Sequence, residues 1–187
     1  MILRTLTIII CFTLFSCYYP PSSKVTQKAT SQKKECSKGW EITGYFTPVE
    51  RDYRSFKRNI KVKNTGLKSF PFTFLKAVKM EGWGKTRQGW YLGFYGGVWH
   101  KSKTPLDAYG NKLIVGVIAT DKKLIPKGRR ITIPTLPKHL NTITFTAKDT
   151  GGRIRGMHID LYTGEGRSAE KITYLVTGKQ HTICSAK

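Results

Sequence analysis

The sequence predicts a mainly β fold, closed as a barrel and carrying one or two short helices. Three observations point there. Several short runs are β-branched or aromatic and alternate apolar with polar residues; glycines, 18 in 187 residues, punctuate them; and apolar spacing of three and four occurs in only two segments. At 39% hydrophobic and 12% aromatic, the chain is too rich in core-forming residues for a disordered tail.

Residues 1–4 make a short basic start and residues 6–15 an apolar run, the pattern of a signal segment ending at residue 16. The run is too short for a transmembrane helix, which needs roughly 20 apolar residues. Residues 17–38, with Pro20-Pro21, serines, threonines and lysines, read as a flexible tether, and 39–187 as one folded domain with a single core.

Within that domain, residues 41–47 are β-branched and aromatic and read as a strand. Residues 72–80 open as a short helix and run extended into Glu81-Gly82-Trp83-Gly84. Glycines mixed with aromatics mark 89–99 as turns and short strands. The continuous apolar run 113–119 suits a strand buried on both faces, while 130–133, 142–147 and 158–162 alternate as half-buried strands do. Residues 167–176 place Ala169, Ile172, Leu175 and Val176 at helix spacing, and 180–184 close with a last strand. No segment repeats another.

The chain carries 33 Lys plus Arg against 11 Asp plus Glu, a formal charge of +22. Such a charge raises nucleic acid as a partner, but an exported protein meets other polyanions: acidic lipids and the stem-peptide carboxylates of peptidoglycan. Runs such as Lys57-Arg58, Lys61 and Lys63 have no catalytic spacing and read as solvated faces. No nucleic-acid partner is expected.

Of the four cysteines, Cys11 lies in the signal segment. Cys17 follows Leu14-Phe15-Ser16, which resembles the lipobox of bacterial lipoproteins and implies lipidation of Cys17, cleavage just before it and attachment to a membrane. Cys36 and Cys184 stand near the two ends of the domain and read as a disulfide in an oxidising compartment. Neither has CxxC spacing and the four histidines are scattered, so no metal or other cofactor is expected.

Acidic residues are few, so their positions matter. Asp121 follows the apolar run through Thr120, Asp149 follows the strand 142–147, and Asp160 lies between Ile159 and Leu161. If those two neighbours face the core, alternation turns Asp160 outward, to solvent or to a groove. Any single aspartate more often serves as a turn or cap.

Ala119-Thr120-Asp121, Ile125-Pro126-Lys127-Gly128, Asp149-Thr150-Gly151-Gly152 and Gly156-Met157-His158-Ile159-Asp160-Leu161-Tyr162 together resemble the 3D domain, named for three aspartates. That domain occurs in membrane-bound lytic transglycosylase A and in stationary-phase muralytic proteins. Thr43-Gly44-Tyr45-Phe46-Thr47-Pro48 and the segment ending Glu81-Gly82-Trp83-Gly84 are similar to upstream parts of the transglycosylase A group. The resemblance implies a six-stranded double-psi β-barrel. The larger enzyme has a second, inserted domain, for which this chain is expected to have no room.

The resemblance also implies a lytic transglycosylase in the cell envelope, a monomer acting on peptidoglycan glycan strands. Such an enzyme cleaves the MurNAc–GlcNAc β-1,4 bond without water and leaves a 1,6-anhydro product. One carboxyl group suffices as acid and then base, unlike the carboxylate pair of a glycoside hydrolase. By motif that group is Asp160, with Asp149 orienting it or sharing its proton. Asp121 either takes part with them or holds a loop by hydrogen bonds. Gly151 and Gly152 are expected to allow close approach and positive φ, with N–H groups directed at Asp149. Tyr45, Glu81, Trp83 and Thr150 are candidate substrate contacts, Glu81 also a second carboxylate. Trp83, Trp90, Tyr91, Tyr95 and Trp99 are candidates for stacking on sugars, with packing roles expected for at least half.

Two other classes fit parts of the sequence. Asp149-Thr150-Gly151 matches the Asp-Thr-Gly of aspartic proteases, which need two such triplets; one triplet requires a symmetric dimer. A non-catalytic envelope lipoprotein that binds glycan through the same barrel is the other.

Overall fold

The computed structural model describes residues 35–186. The expected signal segment at 1–16, Cys17 and the tether as far as residue 34 lie outside the described residues. In chain order the strands are β1 (Cys36–Thr47), β2 (Lys57–Val62), β3 (Gly66–Pro71), β4 (Trp83–Lys85), β5 (Tyr91–Tyr95), β6 (Val98–Ser102), β7 (Val117–Thr120), β8 (Arg130–Thr132), β9 (Phe145–Asp149), β10 (His158–Glu165) and β11 (Gly178–Ser185). Helix α1 (Phe72–Glu81) precedes β4, and α2 (Gly166–Val176) lies between β10 and β11.

Six strands close into a barrel in the order β1-β10-β7-β9-β8-β11. The β1–β10 and β7–β9 pairs are parallel and the rest antiparallel. Alternation explains its interior: Ile42, Ile118, Ile131, Phe145, Ile159 and Leu161 point inward and are buried, while most of their strand neighbours are polar or line a cavity. The closing seam is β1 against β11, where Cys36 lies opposite Cys184 and the two form a disulfide. β1 thus begins before the expected end of the tether at Lys38, because Ser37 and Lys38 pair with Ile183 and Thr182.

Helix α2 crosses β1 at Gly44, where an added Cβ would lie 2.8 Å from the Thr173 backbone. Only glycine lets helix and strand approach so closely. The buried face of α2 is Gly166, Ala169, Thr173 and Val176; Leu175, expected on it, is exposed.

Two expectations need correction. The apolar run 113–119 is not one strand. Gly116 takes φ +98°, which breaks it, so Ile114 and Val115 are exposed and β7 starts at Val117. From there Val117–Thr120 is buried on both faces, as parallel-type strands are. The chain also has room for more than a barrel. Strands β2–β6, of three to six residues each, form a second sheet in the order β3-β2-β6-β5-β4. Its core is separate from that of the barrel: Val62, Phe70 and Leu92 pack on Phe74, Leu75 and Val78 of α1. Brief strands around one short helix bury a small core economically, which is why so few residues suffice.

Candidate active site

Barrel and second sheet meet along a cavity of about 600 Å³. Tyr45, Ala119, Asp149 and Asp160 line it from the barrel, and Glu81, Trp83 and Tyr95 from the other side. The segment from Leu106 to Gly110 borders it as well.

Asp160 reaches the cavity because Ile159 and Leu161, on the other face of β10, are buried in the barrel core. Thr43 lies opposite it on β1, and its hydroxyl donates to Asp160 Oδ1 at 2.7 Å. The same Thr43 Oγ1 stands 2.9 Å from Nε2 of His158. Burial raises the pKa of Asp160 from its ordinary value; Thr43 and His158 pull it down and nearby Asp149 pushes it further up.

Asp149 sits in the same cavity under different constraints. Its Oδ2 accepts from the Tyr45 hydroxyl at 2.6 Å, and its Oδ1 accepts from the N–H groups of Ala108 at 2.9 Å and Thr150 at 2.8 Å. Burial raises its pKa, and these three donors oppose the rise by stabilising the charged form. Asp160 has one donor where Asp149 has three, so of the two Asp160 is the carboxyl that keeps a proton more readily. Tyr45 is in turn kept neutral, its pKa raised well above normal by burial and by Asp149.

Ala108 is presented by a tight loop that Asp107 organises. The buried Asp107 carboxylate accepts from the N–H groups of Tyr109 and Asn111, both at 2.9 Å. Neither residue was expected at the site, although Asp107-Ala108-Tyr109-Gly110-Asn111 has the composition of an Asx turn.

Glu81 lines the cavity where α1 ends and accepts from the Phe46 N–H at 3.1 Å. Burial pushes its pKa up to about 7. The folded state therefore favours the neutral acid, and stability is lost as pH rises from about 4.5 to about 7, where the unfolded chain ionises first. Glu81→Gln keeps the acceptor for Phe46 and removes the charge. It should raise stability by about 1–2 kcal/mol at pH 8, allowing for partial exposure, and change little at pH 4. Thermal melts across that range check this; an equal shift at both ends refutes the assignment.

The structure brings Asp149 and Asp160 together and leaves Asp121 outside the cavity. Asp121 Oδ2 accepts from the Gly156 N–H and Oδ1 from the Lys123 N–H, at 2.9 and 3.0 Å, and both lower its pKa. It ties the loop before β10 to the end of β7. Thr150, Gly151 and Gly152 do line the cavity. Neither glycine has positive φ, however, and the donors to Asp149 are Ala108 and Thr150 instead. Gly151 is needed for proximity, since an added Cβ would lie 2.7 Å from Ile154. Among the aromatic candidates, Trp83 and Tyr95 line the cavity. Trp83 is only 7% exposed and so forms wall more than platform. Trp90 packs on Phe70, Tyr91 donates to Glu165, and Trp99 packs on Phe94.

A closed six-stranded barrel of mixed strand direction, with aspartates at a cleft beside it, is consistent with a double-psi barrel. Residues 116–181 match the sequence profile of the 3D domain. Comparison with curated protein sequences gives no match. Among solved structures, the chain is similar to MltA of Escherichia coli with bound chitohexaose, at 16% identity and a TM-score of 0.59, over 79% of this chain and 72% of that one. A second structure of Escherichia coli MltA, described as a unique lytic transglycosylase fold, gives 16% identity and 0.55 over 80% and 72%. The membrane-bound lytic murein transglycosylase of Agrobacterium tumefaciens gives 14% and 0.53 over 78% and 73%. The fold is MltA-like. No helix among the described residues is long and apolar enough to cross a membrane.

Proposed function

We propose that the protein is a peptidoglycan lytic transglycosylase with Asp160 as its general acid and base. The observation that carries this reading is the asymmetric carboxylate pair in the inter-sheet cavity, Asp149 held by three donors and Asp160 by one. The likeness in fold to an MltA structure holding chitohexaose, a glycan, supports it.

Protonated Asp160 donates to the glycosidic oxygen as the C1–O4 bond breaks. The resulting carboxylate removes the proton of the muramyl C6 hydroxyl as that oxygen closes on C1. Asp160 ends the cycle protonated, and water takes no part. Asp149, fixed and charged, raises the proton affinity of Asp160 and faces the positive charge that develops at C1. Tyr95 and Trp83 line the cavity that the glycan strand would enter. Attachment through a lipidated Cys17 would place the domain on a membrane facing the wall.

The test is digestion of purified sacculi followed by mass spectrometry. Muropeptides ending in 1,6-anhydro-MurNAc are expected. Reducing ends would instead mean hydrolysis, and binding with no released product would mean a glycan-binding module.

A further inference from the structure

The transglycosylase reading leaves open how a single carboxyl group presents its proton to the substrate rather than to the protein. We propose that His158, acting through Thr43, is a positioning residue that directs the acid proton of Asp160 onto Oδ2, the oxygen facing the glycan.

β1 and β10 run parallel with Thr43 opposite Asp160, and His158 lies two residues before Asp160 on the same face of β10. One hydroxyl therefore stands between two groups, 2.7 Å from Asp160 Oδ1 and 2.9 Å from His158 Nε2. Asp160 Oδ2 has no hydrogen bond among the described residues, and the residue lines the cavity.

A hydroxyl has one proton to give, so the chain of hydrogen bonds can run in only two directions. When Nε2 carries hydrogen, it donates to Thr43 and Thr43 donates to Oδ1. Oδ1 is then an acceptor and the carboxylic proton sits on Oδ2, free to reach the glycosidic oxygen. When Nε2 is bare, Thr43 donates to it and accepts from a proton on Oδ1, which points the acid into the protein. The two arrangements hold the same number of protons and differ in the tautomer of His158. In the first, Oδ2 gives its proton to O4 as C1–O4 breaks and takes one from the C6 oxygen as C1–O6 forms. Thr43 holds Oδ1 throughout, and neither Thr43 nor His158 loses a proton. The imidazole thus decides which carboxyl oxygen does the chemistry without touching the substrate.

The proposal rests on the transglycosylase reading, so its test has one arm that needs no turnover. Nitrogen-15 NMR of the whole protein should find neutral His158 as the Nε2–H tautomer; the Nδ1–H tautomer overturns the proposal. The second arm is kinetic. His158→Leu removes the donor and should lower kcat roughly 10–100-fold with KM unchanged, a loss typical of a misdirected reacting group. His158→Gln, whose amide can donate, should recover most of that rate. If His158→Leu does not fold, Thr43→Val against Thr43→Ser makes the same comparison, with Val losing kcat and Ser keeping it. Equal losses in the donating and non-donating variants, or no loss in either, overturn the proposal. A wild-type protein that releases no anhydro product sinks the transglycosylase reading, while the tautomer still reads the direction of the hydrogen bonds.

Discussion

Asp160→Asn should leave a folded, glycan-binding protein that releases anhydro-muropeptides at least about 1,000 times more slowly, because it removes the only proposed proton carrier. Asn keeps an oxygen for the Thr43 hydroxyl, so the contact that orients the side chain survives. It also removes a carboxyl group whose burial disfavours its charge, so the fold is not expected to weaken. Lost activity with an unchanged melting temperature and retained sacculus binding is therefore the signature of a chemical role. Asp149→Asn should behave differently. An amide cannot accept at both of its ends, so with its oxygen kept for Ala108 and Thr150 its NH2 donates to Tyr45, whose hydroxyl turns from donor to acceptor. The neutral side chain no longer raises the proton affinity of Asp160, and the rate should fall only in part, with stability little changed. A wild-type-like rate in Asp160→Asn would falsify the acid/base assignment.

The contrast between the two carboxylates also shows what the sequence could and could not reveal. Asp160 was legible because alternation is local: with Ile159 and Leu161 in the core, the residue between them must face the other way. Most of the barrel strands were legible for the same reason. β7, however, shows in the sequence only as an apolar run and starts only after Gly116, and β9, expected at 142–147, runs Phe145–Asp149 and so includes the aspartate itself. The donors that distinguish Asp149 from Asp160 were not legible. The Ala108 N–H comes from a loop 41 residues away, and Tyr45 reaches from 104 residues away, so only the closed barrel brings them together. Thr43 and His158 stood inside quoted motifs without a role, since a threonine in a strand is ordinary and the parallel β1–β10 register cannot be read from either strand alone. In the second sheet, short strands were legible at 89–99, but β2 was missed through its charge. In β2 only Ile60 and Val62 are apolar, and Lys57, Arg58 and Lys61 gave the segment the look of a solvated face. Its inward residues gain their partners from α1 and β5, which periodicity within one strand cannot show.

Removing the Cys36–Cys184 disulfide should produce the largest loss of stability among these changes while leaving the chemistry intact. The bond links residues 148 apart in sequence, and on a chain-entropy basis a loop of that length is worth about 5 kcal/mol, with about 2–4 kcal/mol more usual. Its position gives the constraint a specific target. It joins the paired ends of β1 and β11, the seam by which the barrel closes and the contact between its first and last strands. Cys36→Ala with Cys184→Ala, chosen because serine would bury an unpartnered hydroxyl at the buried Cys184, should lower the melting temperature by roughly 5–15 °C. Neither cysteine lines the cavity, so the rate per folded molecule should not change at temperatures where the variant is folded. Wild-type protein melted in thiol reductant should show the same drop, which separates loss of the bond from any effect of the alanines. A shift below about 2 °C in both experiments would mean that hydrogen bonding along the β1–β11 seam closes the barrel unaided.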